Sequence, residues 1–172
     1  MRAIKYSIDQ KEEALAIARR RIEMAYRLSR QDDFPGARLL PEWIGSLAEV
    51  ICRDAYPSLE LGGPDAIKGD DASFIEFRNC GYLIEVKCSQ SHQARKGEYL
   101  PLNVAKYYRR RMDYDILYGY FMKKHPEETN KIWELGYVWI EDVDPNNVVK
   151  MVYAPAIAIP WMAFKPIKEL EL

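Results

Sequence analysis

Histidine and cysteine are scarce in this chain. The two histidines, His92 and His125, stand far apart, which argues against a site built on paired histidines such as a zinc hydrolase. The three cysteines, Cys52, Cys80 and Cys88, are an odd number at no metal-ligand spacing. Neither a disulfide framework nor a zinc site is expected. Long apolar runs are missing as well. Met1 to Ser7 offers no secretory core. The longest apolar stretch, Met151 to Phe164, is interrupted by Pro155 and Pro160 and is too short for a bilayer, so it reads as buried core. A cytoplasmic location is the expectation. An excess of one charge is also absent: 25 lysines and arginines face 26 acids, for a net charge of −1. Attraction to nucleic acid would therefore need a local basic patch, and Arg19 to Arg21 and Arg109 to Arg111 are the two candidates.

What is present fits one globular domain. The 172 residues are 48% hydrophobic and 30% charged, with no repeat, low-complexity tract or clear linker. Residues from about Ile8 to Arg30 read as a helix with Asp9 as N-cap and an apolar stripe of Leu15, Ala18, Ile22 and Ala25. After a loop from Gln31 to Leu40, Pro41 suits the first turn of a second helix reaching Ala55. Trp43, Leu47, Val50 and Ile51 form its core face. The period then changes. Short strands are expected near Leu59 and Leu61 and over Ser73 to Phe77, with a hairpin turn at Arg78 to Gly81. Tyr82 to Cys88 is the strongest strand. Asn103 to Met112 reads as a helix, and Asp115 to Met122, Leu135 to Ile140 and Val148 to Tyr153 as further strands. The layout is α/β with a mixed sheet.

The stretch from Lys68 to Gln90 carries the chemistry. In the strand Tyr82 to Cys88 the side chains alternate: Ile84, Val86 and Cys88 take one face, and Leu83, Glu85 and Lys87 the other. An acid and a lysine together on one face of an apolar strand need partners. The triplet acid-x-Lys alone says little. With 26 acids among 172 residues, about two copies arise by chance, and two are found, Asp9 to Lys11 and Glu85 to Lys87. The second gains weight from its apolar strand and from the acidic pair Asp70 and Asp71 upstream. Asp71 is expected across the hairpin from Glu85. Two carboxylates about 4 Å apart repel by roughly 4 kcal/mol at an effective dielectric near 20, and a divalent cation reverses that cost. Oxygen ligands suit Mg²⁺ or Mn²⁺ better than zinc.

This pattern resembles the PD-(D/E)xK nuclease superfamily, which includes many restriction endonucleases and the archaeal Holliday junction resolvases. The resemblance runs from about Pro41 to Tyr120 and is carried by short motifs: an acid before the strong strand, Glu85-x-Lys87 within it, and Gly45-xxx-Glu49 on the preceding helix. It implies a restriction-endonuclease-like core, a mixed central sheet flanked by helices, with residues 1 to about 40 as a helical extension of a single domain. It implies metal ligation by Asp71, Glu85 and Glu49, a catalytic Lys87, and Mg²⁺ or Mn²⁺ as cofactor. The first acid is open among Asp71, Asp70 and Asp65, in that order; Pro64-Asp65 spells the family's literal Pro-Asp. A glycine at position 45 would let the sheet approach the helix. Nucleic acid, most simply DNA, is the implied partner. Arg95, Lys96, Lys106, Arg109, Arg110 and Arg111 would hold its backbone, with Tyr107 and Tyr108 stacking on bases. Many relatives act as homodimers.

Plainer readings stand beside these. Glu85 and Lys87 could form a solvated surface pair, Glu49 could be a surface helix acid, and Arg19 to Arg21 a solvated helix face. Tyr107 and Tyr108 could pack in the core. Tyr137 to Ile140 and Trp161 to Phe164 read as core or interface. The functional alternatives are a metal-dependent nuclease, a non-catalytic nucleic-acid-binding module with the same fold, and a structural protein.

Overall fold

A computed structural model describes residues 1–27, 39–57, 60–61, 77–79, 82–90, 99–110, 114–151 and 154–167. The chain opens with strand β1 (Arg2–Lys5), followed by helices α1 (Ile8–Arg27) and α2 (Leu39–Ala55). Then come β2 (Glu60–Leu61), β3 (Phe77–Asn79), β4 (Tyr82–Gln90) and β5 (Tyr99–Asn103). Helix α3 (Val104–Arg110) precedes β6 (Ile116–Met122), β7 (Lys131–Trp139), β8 (Val148–Lys150) and β9 (Pro155–Pro160). The described residues form a mixed α/β structure with two sheets. The larger runs β1-β7-β6-β4-β3-β2, and the smaller β5-β9-β8. In the larger sheet β4 and β6 are parallel, and the other pairs are antiparallel.

Helix α1 begins one residue earlier than its expected cap at Asp9. The Ser7 hydroxyl accepts from the Gln10 amide at 3.1 Å, and the Gln10 side chain accepts from the Ser7 amide at 2.9 Å. This reciprocal box satisfies two donors that the helix cannot. Ala14, Ile17 and Ala18 are its buried stripe, while Leu15 packs at the margin. Helix α2 buries Trp43, Leu47, Val50 and Ile51 as its apolar spacing predicts. Both helices join Ile84 and Val86 of β4 in one core.

The other face of the large sheet differs from the expectation of flanking helices. Leu117, Phe121, Leu135 and Val138 pack against Leu100 and Leu102 of β5 and Ile157 and Ile159 of β9, with Tyr107 of α3 alongside. A second sheet covers this face because Pro155–Pro160 alternates little and is buried through its middle. Its prolines sit at the ends of β9, and Pro101 lies on the edge strand β5, where a missing N–H costs least.

Two local departures have simple causes. The β3–β4 ladder closes with Asn79 opposite Tyr82, so Arg78 and Asn79 are strand where a turn was expected. Their polar side chains hid ladder bonds that only the backbone makes. Strand β7 starts at Lys131, well before the expected Leu135, because its pattern is broken. Gly119 pairs with Gly136 but Tyr120 with Glu134, which leaves Leu135 as the extra residue of a bulge. Ile132 and Tyr137 then share the helix-side core, although simple alternation would separate them. Gly136 has φ +116°, and a Cβ there would lie 2.0 Å from the Lys165 carbonyl oxygen. No helix among the described residues is long and apolar enough to cross a membrane.

Candidate active site

Strand β4 holds the acid and the lysine, and its start is pinned. The Asp115 carboxylate accepts from the Leu83 amide at 2.8 Å, and the Asp115 amide donates to the Leu83 carbonyl at 2.9 Å. Two residues on, Glu85 and Lys87 lie on the face away from Ile84 and Val86. They are bonded to each other as an ion pair, Glu85 Oε1 to Lys87 Nζ. The pair is half-buried, with side-chain exposures of 19% for Glu85 and 33% for Lys87. It is therefore not a fully solvated surface pair. In register, Lys87 sits opposite Gly119 of β6. A Cβ on Gly119 would come within 2.5 Å of the Phe164 ring, so the bare backbone there lets Phe164 close over the sheet beside Lys87.

Glu49 stands on α2. Its carboxylate is held by Arg21 of α1 through two bonds, Nη1 to Oε1 at 3.2 Å and Nη2 to Oε2 at 2.5 Å. Both side chains are nearly buried, at 11% and 14% exposure. Burial pushes the Glu49 carboxyl up to about 7. Arg21 pulls it down, the negative charge of Glu85 pushes it further up, and Lys87 pulls it down again. The charges of Glu85 and Lys87 thus act on the Glu49 carboxyl in opposite senses, while α2 packs on the face of β4 that carries Ile84 and Val86. Each carboxylate oxygen bonded to Arg21 keeps a second lone-pair direction.

Arg21 is the residue that the sequence reading passed over. Arg19 and Arg20 are exposed as a solvated face should be, but Arg21 turns inward. The signal was present: Ala14, Ile17, Ala18 and Arg21 follow the i, i+3, i+4, i+7 spacing of one face. Gly45, expected to admit the sheet, does not: a Cβ there meets nothing within 4 Å. The space one turn before Glu49 is open among the described residues.

A second buried carboxylate, Glu134 of β7, was also missed. Arg2 bonds it through Nε at 2.8 Å, Tyr118 donates to it at 2.9 Å, and the Tyr56 hydroxyl donates to the same oxygen as Tyr118. The bulge at Leu135 conceals Glu134 from an alternation count.

The remaining expected residues divide as follows. Asp71, with its alternatives Asp70 and Asp65, lies outside the described residues, as do Arg95, Lys96 and Arg111. Lys106, Arg109 and Arg110 fall on α3. Tyr107 is buried in the core while Tyr108 is exposed, so at most one of the two can face a ligand. Among the described residues no three His, Cys, Asp or Glu side chains are grouped to hold one ion; the expected third ligand, Asp71, is not among them. No family model, curated protein or solved structure matches the chain.

Proposed function

We propose that this chain is a divalent-metal-dependent nuclease that hydrolyses phosphodiester bonds, most simply in DNA, on a restriction-endonuclease-like core. The observation that supports this best is the half-buried ion pair of Glu85 and Lys87 on one face of β4, whose charges also act on the Glu49 carboxyl. Two carboxylates whose charges oppose each other in a largely buried place form a donor set that a hard cation fits. Glu85 and Glu49, with Asp71, would hold Mg²⁺ or Mn²⁺. Bound there, the ion would polarise a phosphate oxygen and acidify a water.

The chain's own groups do the rest. Arg21 fixes the Glu49 carboxylate by both oxygens, so its direction is set before any ligand arrives. Lys87, one-third exposed and neighbour to Glu85, would meet the negative charge that grows on a phosphate as it is attacked. Phe164 over Gly119 narrows access to the sheet beside the lysine.

The test is cleavage of supercoiled, linear and single-stranded DNA with Mg²⁺ or Mn²⁺ by wild type and Lys87→Ala. Wild-type cutting that Lys87→Ala loses by about a hundredfold or more supports the reading. Equal cutting by both contradicts the assignment of Lys87. No cutting by either folded protein points to a nucleic-acid-binding module instead.

A further inference from the structure

A groove of about 600 Å³ opens beyond the end of β6, between the β6–β7 connection and the first turn of α1. Lys11, Lys123, Lys124 and Lys131 line it, together with Trp133. Lysines outnumber the acids of this groove, Glu127 and Glu128, two to one. One of those acids, Glu127, faces His125 at 3.7 Å. Lys131 also stands directly opposite Lys5 across the β1–β7 ladder, a like-charge pairing that costs stability. Among the described residues none of Lys5, Lys11, Lys124 and Lys131 forms a salt bridge. Lys123 is laid over the Trp133 ring, 4.7 Å from its centre.

Lys5 of β1, Lys11 of α1, Lys124 of the β6–β7 connection and Lys131 of β7, none in a salt bridge among the described residues, therefore gather at one end of the large sheet with Lys123 beside them. An extended anion would meet several of these positive charges at once. We infer that this groove is a binding track for the phosphate backbone of a nucleic acid. An extended ligand fits better than a single small anion, because the lysines are spread over β1, α1, the β6–β7 connection and the start of β7. The choice of nucleic acid rests on the proposed function, and the position agrees with it. Strand β6 runs parallel to β4, with Gly119 opposite Lys87 and Met122 opposite Gln90. Lys123 follows Met122, so it lies roughly 13 Å along the strand direction from Lys87, at about 3.3 Å per residue. That is about four nucleotide steps of a duplex strand. None of the residues that line the groove belongs to α3, which carries Lys106, Arg109 and Arg110.

The test measures binding of labelled duplex and single-stranded DNA in EDTA, over a salt series, so that no cleavage intervenes. The triple variant Lys123→Gln, Lys124→Gln, Lys131→Gln changes only exposed or ring-stacked side chains, and its melting temperature confirms that it folds. Each lost phosphate contact lowers the slope of log affinity against log salt by close to 1. The triple variant should thus lose on the order of a hundredfold in affinity at 0.1 M salt and two to three units of slope. Lys150→Gln, on the other sheet, should bind as wild type does. The inference is overturned if the triple variant keeps wild-type affinity and slope, or if substitution of Arg109 and Arg110 alone removes binding. It is also overturned if wild type binds anionic vesicles but no nucleic acid. The two readings fail separately. Binding through the groove with no cleavage by wild type sinks the nuclease, and cleavage with an intact salt slope in the triple variant sinks the groove.

Discussion

Glu134 and Glu49 are both carboxylates carried into the helix-side half of the molecule, and each meets an arginine from the first two elements of the chain. Their surroundings differ. Glu134 is enclosed by complementary donors, the guanidinium of Arg2 and the hydroxyls of Tyr56 and Tyr118. Glu49 has Arg21 and, beyond it, the Glu85–Lys87 ion pair, of which Glu85 opposes its charge and Lys87 favours it. A closed arrangement like that of Glu134 specifies packing and has nothing further to bind. One like that of Glu49, with another carboxylate charge acting on it, is where the proposed cation would bind. The contrast separates a structural acid from a candidate ligand without reference to any motif.

Removing one partner from each acid tests the contrast, and the largest effect belongs to the helix pair. Arg21→Ala leaves Glu49 buried without its cation and should cost about 3–5 kcal/mol, read by chemical denaturation. A loss under about 1 kcal/mol would mean that the pair is effectively solvated. Tyr118→Phe takes one hydroxyl from Glu134 and should cost about 1.5–3 kcal/mol, with no change in metal binding. Were metal affinity to fall as well, Glu134 would belong to the site.

The pH dependence sharpens the same point. Burial raises the Glu49 carboxyl in the folded state to about 7, above its unfolded value near 4.5. Between those values the folded chain holds more protons than the unfolded one. Stability from this group is therefore full below about 4.5 and is lost as pH rises through 7. Glu49→Gln should flatten that part of a melting profile between pH 4.5 and 7.5; an unchanged slope would remove Glu49 as its source. The smallest effect is expected at Gly45. Its Cβ position is open among the described residues, so Gly45→Ala should raise stability by up to about 1 kcal/mol through helix propensity alone. A loss of stability there would show that the glycine is packed.

These residues also show what the sequence could disclose. Glu85 and Lys87 were legible because strict alternation places them together against an apolar partner face. Glu49 was singled out through Gly45-xxx-Glu49, but among the described residues nothing lies within 4 Å of a Cβ at Gly45, so no close approach of the sheet accounts for that glycine. Arg21 was hidden in a run of three arginines of which only the last falls on the buried stripe. Glu134 was hidden by the bulge at Leu135, which resets the period on which strand reading depends. Strands β1 and β5 are short, and their partners β7 and β9 are distant in sequence, so no local signal announces them.

The measurement closest to the central claim is the melting temperature of wild type and Glu85→Gln over a titration of Mg²⁺ and Mn²⁺. If Glu49 and Glu85 share an ion, wild type gains about 2.7 kcal/mol at a hundred times the dissociation constant and Glu85→Gln gains little or none. A wild type indifferent to both metals, or a variant that gains as much as wild type, would contradict the account.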